Sequence, residues 1–231
     1  MISVFELFKI GIGPSSSHTV GPMKAAGTFA ARLPTERVAR VKVTLFGSLA
    51  FTGKGHATDR AIILGLAGQI PETVDSAYAE TVLDDAATRH RLLLAGRRAI
   101  DFDPQADIVF DFVSTPPRHP NTMAYAAYDA NGGLLSEETW LSIGGGFIVR
   151  DGETLAGQGS EVVHPHPFRD AAELLLRARE AGLTIAELVR ENETSISGAA
   201  AVEARLDAVI GAMLASVDRG LAREGLLPGG L

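Results

Sequence analysis

The sequence predicts an α+β fold: a domain of mixed helix and antiparallel-rich sheet, followed by a segment that is all helix. Three observations carry this. Residues 38–46, VARVKVTLF, alternate Val41, Val43 and Leu45 against Lys42 and Thr44, the pattern of a strand with one buried face. A period of two returns after Arg97 and runs through the turn Asn131-Gly132, the strongest short-range hairpin signal in the chain. Beyond Pro167 the composition shifts to helix formers with apolar residues three and four apart. At 231 residues the chain can bury one substantial core plus a smaller helical appendage. The expected division is a domain over residues 1–165, a helical segment over 166–225, and residues 226–231, which contain Pro-Gly-Gly, as the start of a linker.

The elements follow in order. Residues 4–9 form a short amphipathic segment, and a helix over residues 20–32 turns Val20, Met23, Gly27 and Ala30 toward a core. After the first strand, the loop FTGKGHATD opens a helix over residues 60–67, which Thr58 or Asp59 can cap. Residues 75–94 read as a weakly patterned helix. The strands RRAIDFD, DIVFDFV, MAYAAYD and LLSEETWLSIGGGFIVRD come next, with Gly144, Gly145 and Gly146 marking a bulge or the close approach of another backbone or ligand. A helix over 171–181 stops at Gly182, Thr184 and Glu187 form a capping box for a second, and a third spans residues 197–223.

Two loops concentrate chemistry. GIGPSSSHTVGP, residues 11–22, places Ser15, Ser16, Ser17, His18 and Thr19 between two Gly/Pro brackets ahead of a helix. Small hydroxyls there satisfy backbone N–H groups that lack intrahelical partners, and a helix N-terminus favours an anion such as a carboxylate. Capping needs one hydroxyl or two; four with an imidazole exceed it. His18 is a natural general acid or base because its ordinary pKa lies near neutrality. The second loop carries Lys54 and His56 among glycines, and matches neither the Walker A pattern nor the three-glycine dinucleotide fingerprint.

Charge and composition exclude several classes. A net charge of −7 without any basic block argues against nucleic acid and anionic membranes as partners. No apolar run approaches the roughly 20 residues needed to cross a bilayer, and no basic leader with a cleavage site is apparent, so the expected setting is the cytoplasm. The absence of cysteine excludes disulfides, thiolate metal sites and a cysteine nucleophile from this chain. His164 and His166, in HPHPF, read as an exposed interdomain turn rather than a metal site, His90 and His119 as solvated residues, and Asp84-Asp85 as an exposed acidic spot.

The motifs MISVFELFKIGIGPSSSHTVGPMKAAG, FGSLAFTGKGHATDRAIILGLAG, WLSIGGGFIV and the terminal REGLLPG resemble, in order and over essentially the whole chain, the N-terminal or β portion of bacterial iron–sulfur L-serine dehydratases, also called L-serine ammonia-lyases. The resemblance implies deamination of L-serine to pyruvate and ammonia without pyridoxal phosphate, with a 4Fe-4S cluster acting as Lewis acid on the substrate hydroxyl. It implies an α portion, as domain or chain, that carries the cysteine ligands of the cluster, so that residues 226–231 begin the linker to it and the chain alone is inactive. It implies a β fold similar to the allosteric substrate-binding domain of some phosphoglycerate dehydrogenases. By position, His18 and His56 fall in the family's SSSHT and GKGH motifs as candidates for proton transfer. Ser15, Ser16, Ser17, Thr19 and Lys54 are expected to bind substrate, and no residue here to bind metal. Two other classes remain open: a stand-alone sensor of serine or another carboxylate, and a dimerisation unit built on the helix over residues 197–223, which also fits a homodimer of the enzyme.

Overall fold

The computed structural model describes residues 3–116, 118–153, 163–222 and 224–225. The expected linker at 226–231 lies outside the described residues. In chain order the elements are α1 (Val4–Leu7), a π turn (Ser16–Val20), α2 (Gly21–Arg32), β1 (Arg40–Gly47), α3 (Ser48–Thr52), α4 (Thr58–Leu66) and α5 (Ser76–Arg89). Then come β2 (Arg91–Leu94), β3 (Arg98–Asp101), α6 (Pro104–Asp107), β4 (Ile108–Asp111), β5 (Asn121–Tyr128), β6 (Leu134–Gly144) and β7 (Phe147–Arg150), and finally α7 (Ala171–Ala181), α8 (Ile185–Ser197) and α9 (Ala199–Ala222). The fold is α+β with a mainly antiparallel sheet, and the described chain divides into two compact units, residues 11–153 and residues 3–10 with 163–225.

In the larger unit, five strands lie in the order β4-β1-β5-β6-β7, with β1 and β4 parallel and every other pair antiparallel. Alternation in β1 sends Val41, Val43 and Leu45 into the core, where β5 sets Tyr125 opposite Val43 and Met123 opposite Leu45. Helix α2 covers this face, with Phe29 stacked on Tyr125 at 5.2 Å between ring centroids. Burial drives the Tyr125 hydroxyl well above the usual phenol range. Trp140 closes one end of the core, its indole N–H on Glu138 at 2.9 Å and the Arg32 guanidinium 5.3 Å above its ring. The predicted hairpin turn forms between β5 and β6, where Asp129 accepts from the N–H groups of Asn131 and Gly133, each at 2.8 Å, and Gly132 takes φ +80°.

Helix α4 lies against α2 so closely that a Cβ on Gly65 would strike the carbonyl oxygen of Met23 and come within 2.8 Å of the Ala26 methyl. A glycine at the crossing is therefore required by space.

Four expectations need correction. The helix expected over residues 75–94 ends at Arg89, where His90 turns left-handed with φ 51°, and Arg91–Leu94 becomes a strand because Leu92 and Leu94 alternate inward. Neither Thr58 nor Asp59 caps α4; Ala57 precedes it at φ 54° with no side-chain cap, and both expected caps hold other partners. All three glycines have positive φ, but Gly145 and Gly146 form a turn between β6 and β7 rather than lying inside one strand, and the expected bulge is a register irregularity between Ser142 and Gly144, the last residue of β6. In the segment of His164 and His166 both histidines are half-buried and the backbone is held, while Pro165 and Pro167 are exposed as expected. Asn192 of α8 accepts from the His166 N–H at 2.9 Å and donates to its carbonyl at 2.8 Å, while the His166 ring meets Glu191 at 2.7 Å.

The smaller unit has a polar clasp of the same kind. Glu193, only 3% exposed, accepts from the Ser3 hydroxyl at 2.8 Å and the Val4 N–H at 2.7 Å, which satisfies the carboxylate at the N-terminus of α1. Helix α9 carries Ile210, Met213, Leu214, Val217 and Leu221 exposed along one stripe. No helix among the described residues is long and apolar enough to cross a membrane.

Gly65→Ala should be destabilising. Gaining a better helix former is worth about 0.5–1 kcal/mol, whereas overpacking against a rigid backbone costs about 1–3 kcal/mol. A urea midpoint at or above that of the wild type would show that α2 and α4 do not meet there.

Candidate functional site

Both sequence-predicted loops open helices that pack together, and this brings their histidines face to face. The ring centroids of His18 and His56 lie 4.8 Å apart with the planes tilted by 39°. The first loop enters α2 through the π turn, whose N-cap Ser15 accepts the His18 N–H on its hydroxyl at 3.2 Å. Wide π turns shift side chains out of α-helical register, which is one reason they gather at functional sites.

The two loops brace each other through buried threonines. Thr19 of the first loop donates to the carbonyl of His56 at 2.9 Å, and Thr58 of the second donates to the carbonyl of His18 at 2.5 Å. The two threonines are 2% and 0% exposed, so each donor hydroxyl is held inside the protein. Thr19, the expected substrate contact, thus gives its hydroxyl proton to the bracing of the loops.

The ring environments differ. Nδ1 of His56 lies 2.9 Å from the carbonyl oxygen of Thr52. A carbonyl can only accept, so the neutral ring carries its proton on Nδ1 and offers the lone pair of Nε2. His18 has a hydroxyl at each nitrogen, Ser17 Oγ 2.9 Å from Nδ1 and Ser48 Oγ 3.0 Å from Nε2, and hydroxyls donate or accept equally, so no tautomer is imposed. Its pKa is lowered first by burial and then by the neighbouring His56. The pair therefore sets a ring with an oriented Nε2 lone pair beside a ring whose charged form is disfavoured by burial.

Of the remaining candidates, Ser15 and Ser17 are part-buried with their hydroxyls 3.5 Å apart, and Ser16 is exposed on the same turn. Lys54 is turned to Asp59, at 2.6 Å, and lies 4.9 Å over the ring of Phe110. Sequence reasoning missed Ser48 and Ser142. Ser48 follows Gly47, whose φ of 55° and lack of a Cβ let the chain turn against the Pro120 carbonyl into α3. Ser142, fully buried on β6, donates to the Ser17 carbonyl at 2.7 Å and so pins the serine turn to the sheet. A serine just after a strand-ending glycine and another just before a glycine run were the available signals.

The donor set does not fit an iron–sulfur cluster. The chain has no cysteine, and the described residues contain no group of three or more His, Cys, Asp or Glu side chains that could hold a metal ion.

Comparison with known proteins gives a consistent result. The profile of the family described as "Serine dehydratase beta chain" matches residues 3–153. The chain is similar to the L-serine dehydratase of Streptomyces coelicolor, 45% identical over 236 residues covering 100% of this chain and 52% of that protein. It is 43% identical to L-serine dehydratase 1 of Escherichia coli, covering 100% of this chain and 52% of the relative. With the Haemophilus influenzae L-serine dehydratase the identity is 39%, over 100% of this chain and 52% of the relative. The chain spans about half the length of the curated relatives it matches.

Two outcomes follow from the geometry. His18 should titrate below its ordinary value of 6.5 in an NMR experiment, and His56→Gln should move it back only partway, because burial is the larger cause. Since the folded value is depressed, the stability that His18 contributes is complete above 6.5 and is lost as pH falls from there through the folded value. A midpoint at or above 6.5 would contradict the buried placement. Thr58→Val, which keeps the shape and strands the His18 carbonyl, should cost about 1–3 kcal/mol in urea denaturation, with Thr58→Ser recovering most of it.

Proposed function

The chain belongs to the serine dehydratase beta chain family, and from that premise we propose that it is the β portion of an L-serine ammonia-lyase, deaminating L-serine to pyruvate and ammonia together with an α portion. The observation that carries this is the oriented imidazole of His56 beside a second, neutral imidazole, both set on hydroxyl-rich turns.

In this mechanism the lone pair of His56 Nε2 takes the proton from the α-carbon of serine. The electron pair left behind forms the Cα–Cβ double bond as the β-hydroxyl departs as hydroxide, which takes the proton held on His56 and becomes water; the enamine tautomerises to the imine, and a water molecule hydrolyses it to pyruvate and ammonia. The hydroxyls of Ser15, Ser16 and Ser17 orient the zwitterion. His18, depressed in pKa, remains uncharged beside His56, so that no fixed positive charge repels the proton His56 must accept. Lys54, exchanging Asp59 for substrate, is the candidate cation for the carboxylate. A 4Fe-4S cluster belongs to the α portion in this reading, since this chain has no cysteine to hold it. The whole enzyme is proposed to be cytoplasmic and homodimeric, with the apolar stripe of α9, Ile210, Met213 and Val217 at heptad spacing, as the contact between copies.

A chimera in which this chain replaces the matching half of the Streptomyces coelicolor relative tests the assignment. It should release pyruvate from L-serine, and His56→Ala should lower kcat by about 10²–10⁴-fold. Full turnover by the His56→Ala chimera would remove the proposed base. Micromolar serine binding by the isolated chain, with no turnover in the chimera, would instead favour a stand-alone sensor.

A further inference from the structure

Beside the histidines lies an aromatic patch with no role in the chemistry above. Phe51 is 67% exposed, Phe112 57% and Val113 91%. Phe51 meets Phe112 edge-on at 5.4 Å between centroids, and Phe112 stacks with Phe110 at 6.5 Å, with the planes 17° apart. The ammonium of Lys54 over Phe110, paired with Asp59, supplies a polar margin of balanced charge. Two phenyl rings more than half exposed, resting beside a third that packs against the core, are unusual on a surface that stays exposed; rings of this kind with a polar edge are the composition of an interface centre.

The position of the patch identifies what covers it. Phe51 belongs to α3, a helix of five residues that also supplies Ser48 Oγ to His18 and the Thr52 carbonyl to His56. The Thr52 hydroxyl donates back to the Ser48 carbonyl at 2.8 Å, which makes α3 a single braced turn. A partner resting on Phe51 therefore sits against the same turn that orients both imidazoles. The relatives matched by this whole chain carry about as much sequence again outside the match. Under the proposed function, that second half stands close to these residues.

We infer that Phe51, Phe110, Phe112 and Val113 form the docking surface for the complementary half of the dehydratase, and that α3 transmits its placement to His18 and His56. The inference rests on the proposed function in one respect: it takes the site to be completed by that second half.

Hydrogen exchange distinguishes the two ideas. In the chimera with the Streptomyces coelicolor half, amides of the segments at residues 48–53 and 110–114 should exchange at least about tenfold more slowly than in the isolated chain. Phe112→Asp, and separately Val113→Asp at a position too exposed to unfold the chain, should restore fast exchange and lower turnover. A chimera that turns over serine while both segments exchange as in the isolated chain overturns the docking surface and leaves the catalytic assignment standing. Protection without any turnover supports the surface and sinks the assignment. Protection that appears in the isolated chain as its concentration rises would mean that a second copy covers the patch, which also overturns the inference.

Discussion

Two threonine hydroxyls, each holding the backbone carbonyl of the other loop's histidine, are the constraint on which the rest of the site depends. Thr19 and Thr58 are buried, and the bonds they make are reciprocal, so moving either loop breaks a bond held by a buried hydroxyl. Ring orientation follows from this backbone fixation. With the His56 carbonyl held from one side and its Nδ1 held by Thr52 from another, the lone pair of Nε2 has a defined direction. The depressed pKa of His18 follows too, because bracing keeps it part-buried against His56.

The fold makes this bracing possible. Each loop opens one helix of a closely crossing pair, and the crossing at Gly65 is tight because nothing larger than hydrogen fits against Met23. Ser142 adds a third anchor from the sheet, and a Cβ on Gly21 would collide with its hydroxyl, so the serine turn lies almost directly on β6. The site is therefore tied to two helices and one strand of a single unit. Its precision derives from close backbone approach rather than from large side chains.

Much of this was legible in the sequence. The serine–histidine turn, the glycine–histidine turn, β1 and the Asn131-Gly132 hairpin all announce themselves through residues whose local chemistry agrees with the final structure. What was not legible depended on partners remote in the chain. Thr58 looked like a helix cap, but left-handed Ala57 starts the helix one residue earlier and makes Thr58 its first residue, while the hydroxyl proton goes to the His18 carbonyl forty residues away. Ser48 and Ser142 are ordinary strand-end serines until the fold places them against His18 and Ser17. The β2–β3 hairpin was hidden because RLLL is equally good helix, and only the left-handed turn at His90 separates it from α5.

The double hydroxyl coordination of His18 has a further meaning for the chemistry of its surroundings. An imidazole with Ser17 at one nitrogen and Ser48 at the other is a two-port element: a proton arriving at one face can be matched by a proton leaving the opposite face. Only hydrogens shift, and the polarity of the adjoining O–H groups inverts together, while every heavy atom keeps its place. A ring so flanked can pass a proton from one hydroxyl to the other while keeping its place beside His56.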